Sequence, residues 1–290
     1  MRKRYTLYIT KVCNLDCSYC YELDKSSKNL SNSELEKNID FIFSNASNKD
    51  DIEFEFIGGE TFLNMDGIKF ACNYIETKYS DFRITRYIAT TNGTIYSKDI
   101  VDFINSKKVF EIGISIDGNK IMHDSCRHFK STRKGTYSIV AENSKKFLKE
   151  LKVEPIVTMT VHKLNIGSLF SGIKSLYNLG FNLINIGVNK TDIDDRFVKL
   201  FIEHHKQICE YILNQERPLK LFPMMEKQKS ISIQTRLKGN DINNSSIVDV
   251  YEEATSLDDD RISADLKMYY SMIIQTNKVW TNMGENYERK

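Results

Sequence analysis

The chain has 290 residues, with 41 lysines and arginines against 39 aspartates and glutamates, for a formal net charge of +2. That length can bury a sizeable core, as one large α/β domain or as a domain with a smaller module. The charges are interspersed, so the balance gives no reason to expect a nucleic-acid or membrane partner.

The N-terminus, MRKRYTLYITKVC, starts basic but has too short an apolar run for a signal peptide. No segment approaches the stretch of about 18 apolar residues that a membrane-spanning helix needs. The expectation is a cytoplasmic protein, where free thiols or metal ligands are commoner than disulfides.

Short β-rich runs alternate with amphipathic stretches. The strands expected are YTLYIT (5–10), IEFEFIGG (52–59), RYIATTNG (86–93), VFEIGISIDG (109–118), EPIVTMTVH (154–162) and LINIGVN (183–189). Helical patterns lie near 32–45, 66–79, 97–106, 135–151 and 167–179, the last stopped by Gly180. Strict alternation implies a parallel sheet, because each parallel crossover needs a helix. The strands end in polar or glycine residues, as in a barrel whose chemistry sits at the strand C-termini. After about residue 215 the pattern weakens: the segment that follows holds two of the three prolines and reads as a linker or irregular stretch, with mixed helical character over 250–275. The expected division is a core over 1–215 and an extension over 216–290.

Cys13, Cys17 and Cys20 stand in the spacing C-x3-C-x2-C. Three thiolates can each hold one iron of a cubane [4Fe–4S] cluster and leave the fourth iron open, as a catalytic metal site requires. The competing arrangement is a zinc knuckle completed by a distant ligand such as His123 or His128. Cys72 and Cys209 fall in helical patterns and read as buried small hydrophobes.

The loop does not stand alone. TKVCNLDCSYCYE, FIGGETFL, ATTNGTIY, GISIDGNKIMHDSCRHFKSTRKGTYSIV and VTMTVHKLNI occur in the order and strand context of the radical S-adenosylmethionine (SAM) superfamily. Over roughly residues 5–215 the chain most resembles the branch of anaerobic sulfatase-maturating enzymes and peptide maturases. The resemblance implies an α/β fold, a partial (β/α)6 TIM-like barrel with a C-terminal extension. It also implies two cofactors, a [4Fe–4S] cluster on Cys13, Cys17 and Cys20, and SAM chelating the open iron.

The same resemblance assigns the site. Gly58 and Gly59 would let the backbone approach the methionine moiety, and Glu60 would accept from its ammonium. Thr91 and Asn92 would lie near SAM, and Ser115 and Asp117 would help hold its ribose or carboxylate. Arg127 would grip the methionyl carboxylate as a bidentate fork, the alternative being a surface ion pair with Asp124. His123 and Asp124 would shape that loop, while His128 has no assigned role. Asn165 and Val188 match positions near the ribose and adenine, and the Tyr21 carbonyl would accept from the adenine amine. Cys126, inside the same element, reads as an inert buried thiol, with a cluster-adjacent or substrate-meeting thiol as alternatives.

Most maturases of this branch carry further cysteines in a C-terminal region for auxiliary clusters, and here no cysteine follows Cys209. Two readings stay open: a member that works with one cluster, or an altered chain that has lost the auxiliary region. The function implied is hydrogen abstraction from a peptide or protein, with a reductant such as flavodoxin or ferredoxin as partner. The alternatives are a radical SAM enzyme acting on a small molecule, or a non-catalytic zinc- or cluster-binding interaction module.

Overall fold

The expected alternation appears as β1 (Arg2–Thr10), α1 (Asn32–Ser44), β2 (Asp51–Gly58), α2 (Met65–Lys78), β3 (Arg83–Thr91), α3 (Lys98–Ser106) and β4 (Phe110–Ser115). It continues as α4 (Lys120–Asp124), α5 (Tyr137–Glu150), β5 (Ile156–Val161), α6 (Leu169–Leu179), β6 (Leu183–Val188) and α7 (Asp195–Leu213). Three further strands follow: β7 (Lys220–Pro223), β8 (Gln228–Ile231) and β9 (Val248–Glu253). The computed structural model describes residues 2–20, 22, 25, 28–189, 194–217, 219–223, 228–231 and 248–253.

Local chemistry sets the helix limits. Ser31 caps α1 in a reciprocal box, its Oγ accepting from Glu34 N–H while Glu34 accepts from Ser31 N–H. Those bonds and Lys28 hold the Glu34 carboxyl down at about 2. α6 stops at Gly180, whose φ of 120° suits a residue without a side chain.

The sheet order is β7-β6-β5-β4-β3-β2-β1-β9-β8, with β1 to β7 all parallel and β9 antiparallel to β1. β7 and β8 are its outer strands, so the described sheet does not close into a ring. The first six strands match expectation. β7 does not, for it lies in the stretch read as irregular and adds a seventh parallel strand beside β6. β9 likewise replaces part of the helical character expected over 250–275, since β1 offers it a free edge to pair with.

Alternation along each strand separates the two faces of the sheet. Tyr5, Leu7 and Ile9, then Ile52, Phe54 and Phe56, and their counterparts on β3 to β6 pack with the helices into one buried cluster. Phe56, Tyr87 and Phe110 pass contact across three strands, with ring centroids 6.0 Å apart at each step. The opposite, helix-free face carries Arg4, Thr6, Tyr8, Glu53, Glu55, Ile57, Arg86, Ile88, Thr90, Glu111, Gly113, Ser115, Thr158, Thr160 and Asn185. A polar face on a parallel sheet is the exception that a lined cavity requires.

Candidate active site

The cysteine loop leaves the C-terminal end of β1 and is clamped from two sides. On one side, Gly59 N–H donates to Thr10 O at 3.0 Å and Glu60 N–H to Val12 O at 2.8 Å. A Cβ on Gly58 would stand 2.2 Å from Thr10 O, and one on Gly59 would stand 2.3 Å from Val12 O. The missing side chains therefore admit the cysteine loop's own backbone. On the other side, Asp16 N–H donates to His128 O at 2.9 Å, Ser18 N–H to Cys126 O at 3.0 Å and Lys130 N–H to Asn14 O at 2.9 Å.

Cys13, Cys17 and Cys20 are half-buried free thiols. Burial pushes the Cys13 thiol up and the Cys17 thiol up to about 11, so loading iron on them must expel protons. Lys25 reaches the loop and donates to Leu15 O at 3.1 Å. Burial works against its charge, but the thiols and Asp16 outweigh it and raise its pKa. Among the described residues, no three His, Cys, Asp or Glu side chains gather closely enough to hold a single ion. A cubane makes no such demand, because each thiolate binds a different iron.

Glu60 is fully buried and ties β2 to β3. Its carboxylate accepts from Thr91 Oγ1 at 2.6 Å, Asn92 N–H at 2.6 Å and Phe62 N–H at 3.0 Å. Burial raises its pKa against these three donors. Asn92 then reaches Asn14 of the cysteine loop at 2.8 Å. Glu60, Thr91 and Asn92 are thus brought together at the strand ends and bind one another.

A second buried group surrounds Asp117. Its carboxylate accepts from Arg127 Nε at 2.8 Å, Arg127 Nη2 at 3.1 Å, Thr160 N–H at 2.9 Å and the Tyr19 hydroxyl. Four donors fill a carboxylate's capacity, so in this arrangement Asp117 orients Arg127. Burial alone would raise the Asp117 pKa, but Arg127 outweighs it and holds the carboxyl below the usual range. Arg127 does not pair with Asp124, which takes Lys120 and Tyr137 N–H instead. Its Nη1 has no protein partner among the described residues.

His123 shapes the loop, as expected. Its Nδ1 accepts from Asp117 N–H at 3.2 Å, and its Nε2 lies 2.9 Å from Thr136 Oγ1, which itself donates to Arg127 O. Burial, followed by the nearby Arg127 charge, lowers the His123 pKa to about 4 and keeps the ring neutral.

The remaining assignments fall out differently. Ser115 is nearly buried, and its hydroxyl makes no hydrogen bond among the described residues. Asn165 closes the end of β5, accepting from His162 N–H and donating to Thr160 O. Val188 ends β6 and packs against the core. Tyr21 and its expected adenine contact lie outside the described residues, as does the Cys209 side chain. Cys72 is buried, as expected. Cys126 is buried too, its Sγ 2.7 Å from His162 Nε2.

Sequence reasoning missed Tyr19. Its ring lies 5.3 Å from the Arg127 guanidinium and 5.3 Å from the His162 ring, and burial raises its hydroxyl pKa. The signal was present as an aromatic between the second and third cysteines, inside the loop rather than after it.

Comparison with known proteins identifies the family. A family profile described as the Radical SAM superfamily matches residues 7–169, more than half of the chain. An uncharacterized protein of Methanocaldococcus jannaschii is 30% identical over 188 residues, 65% of this chain and 63% of its own. The cysteine-type anaerobic sulfatase-maturating enzyme of Clostridium novyi is 32% identical over 160 residues, 52% of this chain and 41% of its own. The chain thus spans less than two thirds of the length of each.

A solved structure of native anSMEcpe with bound AdoMet and Cp18Cys peptide superposes with a TM-score of 0.63 at 21% identity, covering 74% of this chain and 62% of that one. It shares the fold. With the three-cysteine loop at the ends of parallel strands and the profile spanning that loop and the first five strands, the chain belongs to the radical SAM superfamily.

Proposed function

We propose that the chain is a radical SAM enzyme that abstracts a hydrogen atom from a peptide or protein substrate. The observation that carries this reading is the clamped loop of three free thiols, together with two groups that make no hydrogen bond among the described residues, Ser115 Oγ and Arg127 Nη1. Cys13, Cys17 and Cys20 suit a [4Fe–4S] cluster, while Ser115 and Arg127 suit the polar end of SAM. When bound, these cofactors supply one-electron cleavage of SAM and a hydrogen-abstracting radical. The electron comes from a reductant such as flavodoxin or ferredoxin.

The chain's own residues set the positions. Asp117 and Tyr19 hold the Arg127 fork, and Thr10, Val12 and Gly59 fix the cysteine loop against β2. The substrate group is proposed to approach over the strand C-termini on the face away from the helices, where the chemistry can be kept from bulk water. The peptide or protein class is supported by the sulfatase-maturating relative, and the extension over 216–290 is proposed as the part of the chain that covers the substrate.

Anaerobic reconstitution tests the reading. About four irons per chain, with reductive release of 5′-deoxyadenosine from SAM, is the expected result. Stoichiometric zinc and no SAM cleavage would favour the interaction module instead. Cleavage that survives alanine at Cys13, Cys17 and Cys20 together would overturn the ligand assignment.

A further inference from the structure

The helix-free face holds a carboxylate that the proposed chemistry does not use. Glu53 at its lower end is fully matched, accepting from Arg4 Nε at 3.0 Å and Arg86 Nη2 at 2.6 Å. The Arg86 Nη1 also bonds both oxygens of Glu111, at 2.9 and 3.0 Å. Arg2 approaches Glu53 at 3.7 Å from the exposed start of β1.

Glu55 is two residues further along β2 on the same face. Its one partner among the described residues is Thr6 Oγ1, at 3.5 Å, and no basic side chain comes within ion-pair distance of it. The residue remains partly open to solvent. Burial among protein atoms pushes its pKa up, although the nearby charges of Arg4 and Arg86 and the Thr6 hydrogen bond act the other way.

A carboxylate held by a single long hydrogen bond calls for a ligand rich in N–H donors. Three residues separate Glu55 from Gly58, a rise of roughly 10 Å along the strand. A long cationic side chain entering from the strand ends can cover most of that distance.

We propose that Glu55 is the subsite for an arginine or lysine side chain of the peptide substrate. This rests on the peptide reading above and adds the substrate's charge to it. Arg4, Arg86, Glu53 and Glu111 bond to one another, with Arg86 Nε left without a partner among the described residues, so an arriving cation would find Glu55 as the carboxylate that lacks an ion pair.

The test uses the reconstituted, SAM-loaded protein and pools of N-acetylated, C-amidated hexapeptides. Each pool has random flanks and Arg, Lys, Gln, norleucine or Glu fixed at one central position. The Arg and Lys pools are expected to bind about tenfold or more tighter than the norleucine and Glu pools, the size of a charge-assisted hydrogen bond. Glu55→Gln should cut that preference to about twofold or less and melt no lower than the parent, since it removes a poorly compensated buried charge. Thr6→Lys, which sets an internal cation beside Glu55, should cut it as well.

Equal binding of all pools to the parent protein, or a cation preference that survives both substitutions, would overturn the subsite. Binding is read without turnover, so the two readings fail separately. Cation preference without 5′-deoxyadenosine release would keep the subsite and sink the radical chemistry, and release without preference would do the reverse.

Discussion

Arg127 grips Asp117 through two hydrogen bonds, Nε to Oδ2 at 2.8 Å and Nη2 to Oδ1 at 3.1 Å, with the carboxylate fully buried. Asp117→Asn would leave the guanidinium buried without its counter-charge, and the expected loss is about 3–5 kcal/mol in urea unfolding. The pH dependence follows from the lowered folded pKa of Asp117. Its contribution is complete above the unfolded value of about 3.9 and disappears as pH falls through the lower folded value. Parent protein should therefore lose stability from this pair only below about pH 4, and Asp117→Asn should lack that component. An unchanged unfolding free energy in the variant would contradict the pairing.

His123 gives a separate window. Its folded pKa is lowered to about 4, against about 6.5 when unfolded. The unfolded chain takes up the extra proton between these values, so stability is complete above about pH 6.5 and is lost as pH falls toward 4. The melting temperature should drop over that interval more steeply in the parent than in His123→Gln. Titration of the His123 ring by NMR with a midpoint near 6.5 would refute burial as the cause of the lowered pKa.

Gly59 tests the clamp. Its substitution by alanine sets a Cβ 2.3 Å from Val12 O, a backbone atom of the cysteine loop. Relief requires moving the loop, at a cost of about 1–3 kcal/mol typical of overpacking. Gly59→Ala should therefore take up less iron on reconstitution. Full iron content with normal SAM cleavage would show that the contact is dispensable.

Tyr19 is a positioning residue. Tyr19→Phe removes the hydroxyl that donates to Asp117 and should cost about 0.5–1.5 kcal/mol of stability. Because Asp117 orients Arg127, the variant should also raise the KM for SAM while iron content stays at the parent level. An unchanged KM would confine Tyr19 to packing.

The four cysteines near the site should divide cleanly. Single alanine substitutions at Cys13, Cys17 or Cys20 should each abolish SAM cleavage. Cys126→Ala, which removes a buried sulfur against His162, should keep about four irons per chain. Loss of iron in that variant would make Cys126 a ligand.

Six parallel strands, five of the helices between them and the cysteine loop were legible because they rest on short-range patterns. Apolar residues at spacings of two and 3.6, the Gly180 stop and the C-x3-C-x2-C spacing all lie within a few residues of one another. Gly58 and Gly59 could be recognised as points of close approach, although what approaches is the Thr10–Val12 backbone.

Only the tertiary structure decided which polar groups spend their hydrogen bonds on the protein. Asp117 and Arg127 are ten residues apart, Glu60 and Thr91 thirty-one, and Tyr19 and Asp117 ninety-eight. No local rule fixes such pairings, because a buried carboxylate takes whichever donors the packed strands bring to it. The same holds for β7, a four-residue strand ending in proline that exists because β6 presents an edge. Most of the candidate site residues were therefore visible in the sequence, while only the fold shows that Ser115 Oγ and Arg127 Nη1 make no hydrogen bond among the described residues and that Glu55 has Thr6 alone.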